Sequence, residues 1–276
     1  MGQTMRIVIR ITSAEVRVNI VVLVKQVPDS GSARALDPAD NTVARAGADN
    51  VINEMDEYAI EEALQVRDRE GGEVTVLTVG PASASDAIRK ALSMGADKAV
   101  HVTDEAIHGS DALGTSAVLA AALGRLDYDL IVCGAEATDA QMSVMPALLA
   151  ERLGIAQLSG ARKLTIEGGV ARVERQTDAG YWALQAPLPA IVSCWDSINE
   201  PRYPSFKGIR AAKKKPVQTL SLADLGLDAG GVGLAHAGTA VVDFAGRPPK
   251  GAGVRVSDEG DGAEKLVGFL AEQKIV

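Results

Sequence analysis

Residues 56–102 read DEYAIEEALQVRDREGGEVTVLTVGPASASDAIRKALSMGADKAVHV, a stretch in which two helix patterns alternate with two strand patterns. Apolar residues recur at helical spacing over residues 56–70 and 85–93. Residues 73–79 and 98–102 are instead short apolar runs of the kind that form buried strands. Helices and strands that alternate in this way predict a parallel sheet with helices on its faces.

The same alternation extends to both sides of this stretch. Residues 18–27 and 130–133 are expected to be strands, and residues 111–126 a helix. The predicted fold class is therefore α/β, a doubly wound, Rossmann-like parallel sheet. Over residues 161–186 apolar residues alternate with polar ones between glycine turns, which predicts an added antiparallel β-meander.

Composition limits the classes of function. The chain has 276 residues, 47% of them hydrophobic, which is ample for a core. A net charge of −8 and only 3% aromatic residues argue against nucleic acid as a partner. Cys133 and Cys194 lack companions at metal-ligand spacing, so we expect a reducing, cytoplasmic setting and no metal. No apolar run approaches the ~20 residues that span a bilayer, so membrane insertion is not expected.

The clearest candidate for a ligand site is the segment that follows the strand at residues 130–133. In doubly wound sheets ligands bind beyond the carboxyl ends of strands, where the strand order reverses. Gly134 and the small residues after it allow close approach of the backbone, and amides near Ser143 and Pro146 could hold a phosphate. Steric demands of a strand-to-helix turn explain the small residues equally well. No GxGxxG or P-loop motif occurs.

A second candidate surface follows the apolar strand at residues 189–193. An Asn-Glu-Pro-Arg-Tyr turn comes next, and Pro201 and Pro204 predict an exposed, extended loop over residues 202–211. Phe206 stands in this polar setting and is one of three phenylalanines in the chain. It suits contact with a partner protein, although a lone aromatic ring can also fold back onto a local cluster.

These blocks resemble the β subunit of electron transfer flavoproteins, of the actinobacterial, AMP-binding type. The resemblance covers about residues 18–276. It rests on VLVKQVPD at 22–29, NEMDEYAIEEAL at 53–64, VLTVGPA at 76–82 and SLADLGL at 221–227, besides the Asn-Glu-Pro-Arg-Tyr turn.

The resemblance implies an electron carrier subunit without a catalytic site of its own. It implies a heterodimer in which an α subunit holds most of the FAD and this chain holds a structural AMP. Electrons would come from acyl-CoA dehydrogenases of fatty acid β-oxidation and pass toward a quinone oxidoreductase. Residues 18–215 would form the nucleotide-binding domain, residues 216–276 an arm on the α subunit, and residues 1–17 an extension without assigned function.

Site residues carried over by the resemblance fall into two groups. Those for AMP are Leu23, Asn53, Glu54, Met55, Asp56, Val79, Gly134, Ala135, Glu136, Ala137, Thr138, Asp139, Ala140, Gln141, Met142, Ser143 and Val144. Those for docking on dehydrogenases are Arg202, Tyr203 and Phe206, within residues 202–211. A second FAD, as in the electron-bifurcating branch, ranks behind AMP as the ligand because the loop lacks the fuller pattern of that branch. A stand-alone ATP or AMP sensor is the alternative function.

Overall fold

The computed structural model describes residues 17–276, apart from positions 33, 46, 247, 250 and 252. The predicted extension over residues 1–17 therefore lies almost entirely outside the described residues. The chain divides into two compact units, one that ends at Val242 and one over Asp243–Val276.

The first unit contains the strands and six of the α-helices. The strands in the described residues are β1 (Ile20–Leu23), β2 (Gln26–Pro28), β3 (Asn50–Ile52), β4 (Val74–Val79), β5 (Lys98–Val102), β6 (Leu130–Gly134), β7 (Ala156–Glu167), β8 (Val170–Thr177), β9 (Gly180–Pro187), β10 (Ala190–Cys194) and β11 (Val217–Leu220). Its helices are α1 (Glu54–Glu70), α2 (Ser85–Met94), α3 (Ala112–Leu123), α4 (Met145–Leu153), α5 (Phe206–Ala212) and α6 (Leu222–Leu225).

Nine strands form one sheet in the order β11-β5-β4-β1-β6-β10-β7-β8-β9. All neighbours from β11 to β7 are parallel, whereas β7, β8 and β9 form an antiparallel meander at one edge. Because β4 and β6 pair with opposite sides of β1, the strand order reverses between β1 and β6. The predicted fold class, a doubly wound sheet with an added meander, is confirmed. β2 and β3 form a separate two-stranded antiparallel sheet.

The core lies on both faces of the sheet. On one face Leu64 of α1 and Ile88 of α2 pack with Val22 of β1. On the other face Leu123 of α3 and Leu149 of α4 pack with the strands. Neighbouring residues of one strand thus serve opposite layers, as the period of two in a strand requires.

The predicted strand over residues 18–27 is wrong in its extent. β1 ends at Leu23, and β2 begins at Gln26 and belongs to the other sheet. Lys25 separates them because its backbone is engaged elsewhere: its N–H donates to Asp56 and its carbonyl accepts from the N–H of Asn53. An apolar run alone does not show where a strand leaves its sheet.

The predicted loop over residues 202–211 is also wrong, since most of it is helical. α5 begins at Phe206, and the Ser205 side chain caps it by accepting a hydrogen bond from the N–H of Gly208 at 3.0 Å. Pro201 and Pro204 both precede the cap. Prolines forbid a helix only where a backbone N–H must be donated within it, so a helix that begins after them is allowed.

β11 and the segments after it follow residue 215, where the sequence predicted the end of the nucleotide-binding domain. β11 pairs with β5 in the main sheet. In the second unit the described residues before Gly262 form no regular element, and α7 (Gly262–Glu272) follows. Its apolar side chains Leu266, Val267 and Phe269 are exposed. No helix of the described residues has the length and apolar composition needed to cross a bilayer.

Candidate functional site

The candidate site lies at the carboxyl edge of the sheet, where the strand order reverses. Leu23 ends β1, Val79 ends β4 and Gly134 ends β6. α1 begins at Glu54 and packs against β1 and β6, so its first turn reaches the same edge. The topology therefore brings together segments that are more than 100 positions apart in the chain.

Asn53 joins the start of α1 to the loop after β6. Its side-chain Nδ2 donates to the carbonyl of Glu136 at 3.0 Å, and its Oδ1 accepts from the N–H of Thr138 at 3.0 Å. Nδ2 also donates to Oδ1 of Asp56 at 2.9 Å. Asn53 is buried, so these bonds satisfy an amide that would otherwise destabilise the fold.

Asp56 joins the same helix to the ends of both central strands. Its Oδ2 accepts from the N–H of Lys25 at 2.8 Å, and its carboxyl also accepts from the N–H of Gly134. Complete burial raises the pKa of Asp56 to about 7, and the bonds from Asn53, Lys25 and Gly134 oppose that rise. One buried carboxyl thus fixes three segments around the site.

Gly134 has no room for a side chain. A Cβ at this position would lie 2.6 Å from Oδ1 of Asp56 and 2.7 Å from Cβ of Met55. The close packing of β6 against the first turn of α1 therefore requires glycine. The same packing leaves backbone at the carboxyl end of β6, where a ligand can approach it.

The loop from Ala135 to Val144 ends in an amide-lined turn. Gln141 and Ser143 have φ values of 51° and 55°, and Val144 returns to the right-handed region with φ of −96°. Successive left- and right-handed residues point their N–H groups into a common concavity that suits an anion. Among the described residues, the N–H groups of Met142, Ser143 and Val144 have no protein acceptor. α4 follows with Pro146 in its first turn.

Two cations beside this loop were missed in the sequence. Lys25 Nζ donates to Oδ1 of Asp139 at 2.6 Å, and Arg45 Nη2 lies 3.0 Å from Oδ2 of the same carboxylate. The Asp139 side chain is only 3% exposed. A third cation, Arg34, donates to the carbonyl of Thr138, and Glu136 in the same loop is a second acid, so three cations lie beside two carboxylates. Lys25 was predicted to lie within a strand that runs to residue 27, and the segment between β2 and β3 that carries Arg45 had no sequence signal.

The other residues predicted to bind the nucleotide lie at several positions around the carboxyl edge of the sheet. Leu23 is buried and Val79 packs against the same side of the core. Glu54 accepts from Ser30 Oγ at 2.7 Å, and Ser143 Oγ donates to Glu136 at 2.8 Å. Further residues of this set that line the loop or its base are Met55, Ala135, Ala137, Ala140, Gln141 and Met142. Their role in binding stays a prediction.

The predicted docking residues divide into two kinds. Tyr203 and Phe206 are 92% and 89% exposed, so their rings project from the segment before α5 and from its first turn. Arg202 instead pairs within the molecule, with Nε 2.7 Å from Oε2 of Glu61 on α1. Across the described residues, no cluster of His, Cys, Asp and Glu forms a metal site.

Comparison with known proteins places the chain in a family. A family model described as the electron transfer flavoprotein domain matches residues 40–225, which is more than half of the chain. The chain belongs to the electron transfer flavoprotein family.

Relatives within this family refine the placement. The electron transfer flavoprotein subunit beta of Mycobacterium tuberculosis (strain ATCC 25618 / H37Rv) is 52% identical over 264 residues, which cover 94% of this chain and 99% of the relative. The subunit beta of Megasphaera elsdenii is 33% identical, with 93% of this chain and 97% of the relative covered. A subunit of the caffeyl-CoA reductase-Etf complex of Acetobacterium woodii is 34% identical, with 93% and 99% covered. The predicted resemblance to β subunits of the actinobacterial type is confirmed.

Membership in the electron transfer flavoprotein family assigns the chain a role in electron transport. The redox group of such complexes is a flavin. The candidate site fits a phosphate group, since it combines an amide-lined turn with nearby lysine and arginine side chains.

Proposed function

We propose that this chain is the β subunit of a heterodimeric electron transfer flavoprotein and holds a structural AMP at the carboxyl edge of its sheet. FAD would be held mainly by the α subunit. The observation that carries the proposal is the buried link from Asp56 and Asn53 to Gly134 and Thr138, because it fixes the loop after β6 against the first turn of α1.

Each part of the site would meet a different part of AMP. The N–H groups of Met142, Ser143 and Val144, beside the start of α4, would hold the phosphate. Lys25 and Arg45 would balance its charge. Leu23 and Val79 pack in the same core cluster at the ends of their strands, and Val79, which is half-buried, offers apolar surface that suits the adenine ring.

Nucleotide analysis tests this assignment. The chain is co-expressed with a candidate α subunit, the complex is purified and denatured, and released nucleotides are quantified by chromatography. One FAD and one AMP per heterodimer would support the proposal. Two FAD molecules would indicate the electron-bifurcating branch of the family, and ATP or AMP on a lone chain without flavin would indicate a sensor.

Gly134→Ala tests the position of the site. The added methyl group would collide with Asp56 and Met55, so we expect loss of AMP and a destabilisation of about 1–3 kcal/mol. Gly124→Ala is the matched control, because Gly124 lies in the right-handed helical region and its added Cβ meets only ordinary contacts. Full AMP content in Gly134→Ala would contradict this location.

We further propose that Arg202, Tyr203 and Phe206 belong to the segment that docks on acyl-CoA dehydrogenases, with the two exposed rings as its contacts. Two large rings exposed beside cationic side chains are typical of residues that dominate the energy of an interface. Electrons would then pass through the flavin toward a quinone oxidoreductase.

Phe206→Ala tests the docking proposal. Loss of the ring should slow electron transfer from a dehydrogenase about tenfold or more while the flavin content stays intact. Tyr181→Ala is the control, since it removes an exposed ring from the edge strand β9. Equal rates of electron transfer in wild type and Phe206→Ala would contradict the docking proposal.

A further inference from the structure

Arg202 is held by α1. Its Nε lies 2.7 Å from Oε2 of Glu61 and its Nη2 lies 3.1 Å from Oε1, so the guanidinium binds the carboxylate through two parallel bonds. The N–H of Arg202 donates to the same carboxylate at 3.2 Å. Nη2 also donates to Oδ2 of Asp68, about two helical turns further along α1, at 3.2 Å. Planar bidentate pairs of this kind have well-defined geometry.

Two further hydrogen bonds tie Asn199, just before Arg202, to the same helix. Asn199 Nδ2 donates to the carbonyl of Tyr58 at 3.1 Å and to Oε2 of Glu62 at 3.2 Å. Since Asn199 and Arg202 flank Pro201, the turn is fixed on both sides of the proline against consecutive turns of α1.

The segment is also fixed after Tyr203 and Phe206. α5 packs so closely on α2 that a Cβ at Gly208 would lie 2.5 Å from the carbonyl oxygen of Ser93. Lys215 Nζ donates to the carbonyls of Leu92 and Ala96 at the carboxyl end of α2. A cation at that end of a helix satisfies carbonyls that lack helical partners.

We infer that Arg202 is a positioning residue, which acts through Glu61 to hold residues 199–215 in the docking conformation and makes no contact of its own with the dehydrogenase. The inference rests on the proposed docking role of Tyr203 and Phe206. With both ends of the segment fixed, the two rings are presented without the loss of chain entropy that ordering a free loop on binding would require.

Charge burial explains why Arg202 would stay on Glu61 in the complex. The Glu61 side chain is only 6% exposed. If the guanidinium turned toward a partner, this carboxylate would be left buried without its counter-ion, which is strongly unfavourable. The pair is stabilised in a second way, because hydrogen bonds from Arg202 reach both carboxylate oxygens of Glu61.

The test compares Arg202→Ala, Glu61→Gln and the double variant in the FAD-loaded heterodimer, with a dehydrogenase as electron donor. We expect each single variant to raise the KM for the heterodimer about tenfold, with kcat and flavin content unchanged. The double variant should be no worse than either single one, because both changes remove the same interaction. Arg202→Lys, which retains a single bond to Glu61, should restore part of the loss.

A direct contact of Arg202 with the dehydrogenase predicts a different pattern. Arg202→Ala would then raise KM while Glu61→Gln, a change on α1, would not, and that result would overturn the inference. If Arg202→Ala does not yield a folded heterodimer, Glu61→Gln and Arg202→Lys decide between the two patterns. Glu73→Gln is the matched control, since it weakens an acid–lysine pair with Lys98 at the amino ends of β4 and β5.

Phe206→Ala separates this inference from the docking proposal. A raised KM in Phe206→Ala together with a normal KM in Glu61→Gln would remove only the positioning role of Arg202. A normal KM in Phe206→Ala would remove the docking proposal itself.

Discussion

At the scale of single residues, the candidate site depends on one buried acid. Asp56 accepts hydrogen bonds from Asn53, Lys25 and Gly134, which belong to three separate segments. A carboxyl can accept several bonds at once, whereas an amide in its place would turn one donor toward another. The acid therefore suits a point where three backbone segments must meet.

Asp56 should make stability depend on pH. Burial raises its pKa from 3.8 to about 7 in the folded protein. Between these values the folded state binds a proton that the unfolded state has lost, so the free energy of unfolding falls as the pH rises through this window. This decrease in the free energy of unfolding is complete above about pH 7 and amounts to at most about 4 kcal/mol.

Asp56→Asn should remove this part of the pH dependence. Urea denaturation of wild type and variant at about pH 5 and about pH 8 measures it, and we expect a smaller decrease in the variant. Glu62, whose pKa is also raised by burial, contributes with the same sign in both proteins. Equal decreases in wild type and Asp56→Asn would show that Asp56 does not titrate in this range.

At the scale of elements, α1 serves both candidate surfaces. Its first turn carries Asp56 at the nucleotide site, and Glu61 and Asp68 hold Arg202 before α5. A helix is stiff over this length because each residue is bonded to the turn before it. The two surfaces are therefore built on one rigid support.

Ser205→Ala should loosen the first turn of α5. The variant loses the bond from the N–H of Gly208 to the Ser205 side chain, which costs about 1 kcal/mol of stability. We expect a lower midpoint in denaturation and a raised KM toward the dehydrogenase, since Phe206 lies in that turn. Ser205→Asp keeps a capping oxygen and is the control. If Ser205→Asp lost as much stability as Ser205→Ala, the helix cap would not be the cause of the loss.

At the scale of the whole molecule, the core and the exposed terminal helix belong to different units. The buried hydrophobic residues of the described chain end at Val232, before the second unit begins at Asp243. In that second unit Leu266, Val267 and Phe269 of α7 are exposed. Exposed apolar side chains on one amphipathic helix are typical of a surface that another protein covers. We propose the α subunit as that protein.

Removal of residues 243–276 tests this division. The shortened chain should unfold with nearly the thermal midpoint of the full chain, because its core is intact. Its affinity for the α subunit should fall tenfold or more, by about 1.4 kcal/mol or more, as measured by titration of one subunit with the other. Glu264→Gln in the full chain is the control for α7. Unchanged affinity after truncation would exclude the second unit from the interface.

Sequence patterns were enough to predict the α/β class and the meander, and they pointed to a candidate site after the strand at residues 130–133. These follow from local patterns: apolar residues at a period of two or near four, and small residues after a strand. Gly134, Asn53 and Asp56 were recognised by their place in family blocks. Their mutual hydrogen bonds could not be read from spacing.

Which distant residues meet depends on the three-dimensional packing of the chain. Arg202 and Glu61 are 141 positions apart, and Lys25 and Asp139 are 114 apart. No periodicity links such positions, because their contact depends on strand order and on how closely helices pack. The same cause ended β1 at Leu23, because the N–H of Lys25 bonds to Asp56. The start of α5 at Phe206 depends instead on a local cap, since Ser205 lies only three residues before Gly208.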